Sequence, residues 1–193
     1  MRVKNSYKKF RLFNLPALGI SIFLLILVLF SLGFAQTANA SSGSATLAVY
    51  PYGGTLNKGC SYLLNVGLNT GGLDTDGTDV VLFYDPTVLS ILAIIDTRMY
   101  PNYVLNSIDN INGKISISAL ASASQPIHGK NILAQINFTV LPQTTATTTT
   151  INFDFDPSNP TKTTDSNVTQ TATILDILKT VYNGSYKVGS GSC

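Results

Sequence analysis

The chain has 193 residues, and only 11% of them are charged, against roughly one quarter in a typical soluble domain. The formal charge of +2 comes from the amino terminus, where Arg2, Lys4, Lys8, Lys9 and Arg11 are clustered. The later basic residues face ten aspartates, a balance of about −3 that leaves no basic patch for nucleic acid. The chain contains no glutamate and no tryptophan. Glycosidase chemistry generally needs two carboxyls held in different environments, so an enzyme is not expected.

Residues 1–14 are basic, Leu15 to Ala35 is almost wholly apolar, and Ala38-Asn39-Ala40 precedes Ser41. That order marks a secretory signal over 1–40. The apolar run over 15–35 is also long enough for a membrane anchor helix. Either way the remainder is exported, to the cell surface or beyond it. Export permits a disulfide. Cys60 and Cys193 are the two candidates, and the sequence leaves open whether they pair.

About 150 residues remain, enough for one core. Ala45 to Tyr50 alternates with the period of a strand. Pro51-Tyr52-Gly53-Gly54 breaks it, and a second strand runs around Tyr62 to Leu68. Asp79 to Tyr84 is an apolar strand ended by Asp85-Pro86, and Ser90 to Ile95 is the next. Lys114 to Leu120 and Ile132 to Leu141 alternate cleanly. The threonine run Thr144 to Thr150 leads into Ile151–Phe155, and further strands fit Val168–Ile174, Ile177–Val181 and Ser185–Val188. About nine strands separated by Gly, Pro, Asn and Asp turns predict an all-β sandwich over 41–188. Gly189 to Cys193 reads as a flexible tail.

Few residues suggest chemistry. Asp74 and Asp76 lie in Asp74-Thr75-Asp76-Gly77-Thr78-Asp79, the candidate ligands for a calcium ion. The glycine is misplaced for an EF-hand and flanking helices are absent, so a solvated turn is the preferred reading and no cofactor is expected. Asn152, Asp154 and Asp156 share a strand face and read as solvent-exposed. His128 sits in a loop, with no cysteine nearby and only distant serines to complete a triad. Sugar-binding modules often stack rings on exposed aromatics. Tyr100 and Tyr103 are the candidates for that role, and Tyr50 and Tyr52 also flank loops.

Taken together, Tyr84-Asp85-Pro86-x-x-Leu89, the Gly113-Lys114-Ile115 strand and Asn131-Ile132-Leu133-Ala134-Gln135-Ile136-Asn137-Phe138-Thr139-Val140 resemble the cohesin domain of cellulosomal scaffold proteins. The similarity spans roughly residues 45–190. It implies a nine-stranded jelly-roll sandwich, related to cellulose-binding modules, that docks a calcium-loaded dockerin on one sheet face. By resemblance that face includes Asp79, Val81, Ala119, Ala121 and Ser122. Gly77 stands where the family often has an asparagine. The expectation is a non-enzymatic exported module that engages a dockerin-like protein module or a polysaccharide. The alternative is a structural, adhesin-like surface sandwich.

Overall fold

The computed structural model describes residues 44–122 and 124–193. The export or anchor segment read over 1–40 lies outside them. Twelve strands and no helix are present among the described residues. None of these residues forms a helix long and apolar enough to cross a membrane.

The strands are β1 (Ala45–Tyr50), β2 (Gly53–Asn57), β3 (Ser61–Asn69), β4 (Thr75–Tyr84), β5 (Leu89–Asp96), β6 (Asn102–Asp109), β7 (Lys114–Leu120), β8 (Lys130–Val140), β9 (Thr148–Phe153), β10 (Asn167–Gln170), β11 (Leu178–Tyr182) and β12 (Gly184–Gly189). They form two sheets. One has the order β11-β1-β3-β8-β5; the other is β2-β12-β9-β4-β7-β6, with β10 also paired to β4.

Period-two alternation builds the core between the sheets. Ile115, Ile117 and Ala119 of β7 point inward, as do Val80 and Leu82 of β4. Leu133, Ile136, Phe138 and Val140 of β8 face them from the other layer. The expected strands are present, and two more are added, β2 and β6. β2 begins in the Pro51–Gly54 break and β6 lacks clean alternation, so pairing rather than pattern makes them strands. β2 is held by parallel pairing with β12, and β10 by antiparallel pairing with the start of β4.

The turn after β4 joins the layers. Asp85 Oδ1 accepts from the Thr87 N–H at 2.8 Å and from its hydroxyl at 2.6 Å, closing an Asx turn ahead of β5. Asn110 reaches across from the β6–β7 turn. Its Oδ1 accepts from the Tyr84 hydroxyl at 2.6 Å and the Ile91 N–H at 2.8 Å, and its Nδ2 donates to the Ile91 carbonyl at 2.9 Å. One amide thus ties β4 in one sheet to β5 in the other.

Cys60 and Cys193 form a disulfide with Cα atoms 5.5 Å apart. The Gly189–Cys193 tail is further fastened by Asn57. Its Nδ2 donates to the Ser192 carbonyl at 2.9 Å, and its Oδ1 accepts from the Gly191 N–H at 3.2 Å.

Candidate partner-binding face

The sheet that contains β4 presents its outer face along β9, β4, β7 and β6. Register fixes which side chains stand there. Gly77 lies opposite Leu120, Asp79 opposite Ser118, Val81 opposite Ser116, and Phe83 opposite Lys114. On the other side of β7, Leu105 is opposite Ser118 and Ser107 is opposite Ser116. A bulge between Tyr103 and Leu105 sets this parity: Tyr103 turns inward and Leu105 outward. Phe83, Leu105 and Leu120 are exposed, and the Lys114 ammonium lies 6.0 Å from the centre of the Phe83 ring. The face therefore carries separated apolar side chains around Asp79 and three serines. This mixture suits a protein interface, where apolar anchors are set among polar groups.

A loop borders the face. β9 pairs with the last part of β4, the chain leaves over 154–166, and β10 resumes pairing at Asp79. The loop's base is pinned to Val81. The Asp154 N–H donates to the Val81 carbonyl at 2.8 Å, and the Val81 N–H donates to Ser166 Oγ at 3.0 Å. Lys162 lies 3.2 Å from Asp154 and 3.5 Å from Asp165. The hydrogen bond that Lys162 donates to Asp154, and then the two negative charges, hold its ammonium above the ordinary lysine value. The loop thus makes a ledge. Thr163, Thr164 and Asp165 form one wall of a shallow depression of about 220 Å³ whose floor includes Asp79, Val81 and Ser116. Asp79 also lines a second depression of about 340 Å³, bounded by Pro160, Ile174 and Leu175.

Several expected site residues lie elsewhere. Ala119 is fully buried, at 0% exposure, because it continues the inward parity of Ile115 and Ile117; Ser118 and Leu120 take the outward positions. Val81 points outward but is only 7% exposed, since the base of the ledge covers it. Ala121 and Ser122 follow the end of β7 and are partly buried, and the Ala121 N–H is bound to the Asp76 carbonyl at 2.7 Å. Of the five, Asp79 is the one on the open face. Phe83, Leu105 and Leu120 stand exposed on the same face and are not among the expected residues, although the alternation of β7 already marks Leu120 as outward.

Tyr100 cannot stack on a sugar. It is 0% exposed, and its hydroxyl is bound to those of Thr75 at 2.7 Å and Thr78 at 2.9 Å. Burial pushes its phenol up from the ordinary value. Tyr103 is packed against the core and donates to the Leu133 carbonyl. Neither ring is free for a ligand.

The polar candidates do not converge. Asp74 lies 3.2 Å from His128 Nδ1, while Asp76 accepts from the Thr171 hydroxyl at 2.7 Å. Asn152 donates to Thr150, Asp154 binds Lys162, and Asp156 accepts from Ser158. No group of three potential metal-ligating side chains occurs among the described residues.

This sheet order and this outer face invite comparison with known proteins. The Cohesin domain family model matches residues 64–181. The chain belongs to the cohesin family. No curated protein matches it in sequence, but solved cohesins share the fold. A Clostridium acetobutylicum cohesin, solved in complex with a dockerin, is 20% identical, with a TM-score of 0.60 over 75% of this chain and 99% of that one. A Clostridium thermocellum cohesin, also solved with a dockerin, is 14% identical, with a TM-score of 0.59 over 75% of this chain and 93% of that one. A non-cellulosomal cohesin from the archaeon Archaeoglobus fulgidus is 13% identical, with a TM-score of 0.54 over 75% and 91%. At these identities the likeness establishes the fold.

Proposed function

We propose that this cohesin is a non-catalytic docking module, displayed outside the cell, whose partner is a dockerin. The outer face of β4, β7 and β6 carries this reading: Phe83, Leu105 and Leu120 stand exposed around Asp79, beside the 154–166 ledge. Solved cohesins of the same fold form complexes with dockerins, which supports the same kind of partner here. Binding would rest on apolar anchors and a few hydrogen bonds. With about seven basic residues against ten aspartates after the amino-terminal segment, long-range charge steering contributes little. Calcium in this scheme belongs to the partner.

The amino-terminal segment would carry the module through the membrane or hold it there. Display does not imply a cellulose substrate, since one cohesin of this fold is non-cellulosomal. A pull-down with the full chain as bait tests the reading. A dockerin-bearing protein is retained by the wild type and recovered more weakly by Asp79→Ala. Failure of the wild type to retain any dockerin-bearing protein from its own organism contradicts it.

A further inference from the structure

The outer face of the other sheet holds a second group of tyrosines. The ring centres of Tyr50 and Tyr52 are 4.8 Å apart at an interplanar angle of 58°, and those of Tyr52 and Tyr182 are 6.0 Å apart at 63°. Tyr52 is 46% exposed and Tyr182 is 49% exposed. Beside them runs a groove of about 280 Å³ lined by Thr46, Tyr50, Gly67, Asn69, Lys130 and Asn131. Register places these groups on one face: Thr46 is opposite Asn69, and Ala48 lies between Gly67 and Tyr182.

The platform is built rather than incidental. The Tyr50 ring lies over Gly67, where a Cβ would come within 2.7 Å of Tyr50 Cε2. The backbone between the first two tyrosines is clamped from β12. The Pro51 carbonyl accepts from the Tyr186 hydroxyl at 2.7 Å, and the Tyr52 carbonyl accepts from the Ser185 N–H at 2.8 Å. In the groove, Asn69 Oδ1 accepts from the Gly71 N–H at 3.1 Å and Asn131 Oδ1 from the Ile132 N–H at 2.8 Å. Both carboxamides are thereby fixed, and each Nδ2 is a donor without a partner among the described residues.

We propose that Tyr50, Tyr52 and Tyr182, with the groove beside them, bind a glycan. β1 and β3, under the groove, are paired on both sides within this sheet, so a ligand seated in the groove is read by side chains rather than added as a strand. A pyranose offers what these side chains match: an apolar C–H face for a partly exposed ring, and hydroxyls for fixed amide donors and the Thr46 hydroxyl. Lys130 at the groove edge adds a donor that also suits an acidic sugar. The site is on the opposite face from the docking surface, so one module could hold a polysaccharide and a protein together.

Native gel electrophoresis of the full chain through soluble β-glucan, xylan, galactomannan and pectin, with sedimentation against insoluble cellulose and chitin, tests this. At least one polysaccharide should retain the wild type. Tyr52→Ala and Tyr182→Ala should each weaken that retention about tenfold, the loss expected for one stacking ring. Phe83→Ala, on the docking face, should leave it unchanged. Thermal melts of the variants establish that they are folded. Retention by none of the six polysaccharides overturns the proposal, as does equal retention of the folded Tyr52→Ala/Tyr182→Ala double variant.

Discussion

Leu120 packs over Gly77 on the outer face of β4 and β7. A Cβ built on Gly77 would sit 2.9 Å from Leu120 Cδ2 and 3.4 Å from the Ala119 carbonyl oxygen. The absence of a side chain at 77 therefore lets an apolar side chain occupy the spot where family members often place an asparagine amide. Gly77→Asn must displace Leu120. We expect it to fold and to weaken partner binding at least tenfold, because a buried apolar contact is lost and a polar group is desolvated in its place. Leu120→Ala should weaken binding by a similar factor, about 1–2 kcal/mol. Surface plasmon resonance with a retained dockerin measures both. Unchanged affinity in the two variants would remove Leu120 from the interface.

The ledge depends on Ser166. Its hydroxyl accepts from the Val81 N–H at 3.0 Å and donates to the Val81 carbonyl at 3.1 Å, in a buried position. Ser166→Ala leaves that N–H without its acceptor, at a cost of about 1–3 kcal/mol. Chemical denaturation should show this loss, and limited proteolysis should show faster cleavage within 155–165. An unaltered midpoint would mean that the ledge is held by other contacts.

The Cys60–Cys193 bridge closes a loop with a sequence separation of 133 residues. On the chain-entropy account such a loop is worth up to about 5 kcal/mol. Cys193→Ser, or reduction of the wild type, should lower the melting temperature clearly, and reductant should have no further effect on the variant. Equal melting temperatures with and without reductant would contradict this.

At Asp176 burial outweighs the hydrogen bonds that favour ionisation. Desolvation raises its pKa, although the Val168 and Leu178 N–H groups, each 2.9 Å from Oδ1, pull the other way. A raised pKa means that the folded state holds the proton more tightly than the unfolded chain. The corresponding stability is present below the ordinary aspartate value of about 3.9 and is lost as pH rises through the raised one. Asp176→Asn keeps an acceptor oxygen for both N–H groups and removes the charge. We expect the variant to be at least as stable as the wild type at pH 7, with the difference shrinking on acidification. A variant less stable at pH 7 would show that the two hydrogen bonds outweigh burial.

Much of this fold is legible in the residues because alternation is a direct record of two-sidedness. Ile115, Ile117 and Ala119 form one parity and Ser116, Ser118 and Leu120 the other, so β7 declares its buried face. The assignment of Ala119 to a partner surface came from resemblance and ran against that parity. Other features are illegible for physical reasons. Tyr100 sits in an irregular stretch that looks like a loop rim, and only the fold brings the Thr75 and Thr78 hydroxyls to it. The bulge at Val104, which turns Leu105 outward, exists only as a relation to β7. Pro157 to Asn167 reads only as a polar loop, and the role of this stretch as a ledge depends on Ser166 meeting Val81, 85 residues away in sequence. The tyrosine platform likewise needs the pairing of Ala48 with Tyr182.

Docking of a dockerin on the β4–β7–β6 face can be put to a direct measurement. Isothermal titration of the full chain with calcium-loaded dockerins from its own organism tests it most directly, using Leu105→Arg on that face and Leu63→Arg on the opposite sheet. Both leucines are exposed, so neither substitution buries a charge in the core. We expect saturable binding by the wild type, preserved in Leu63→Arg and abolished or weakened at least a hundredfold in Leu105→Arg. Binding lost in Leu63→Arg and retained in Leu105→Arg, or no binding by the wild type, would contradict it.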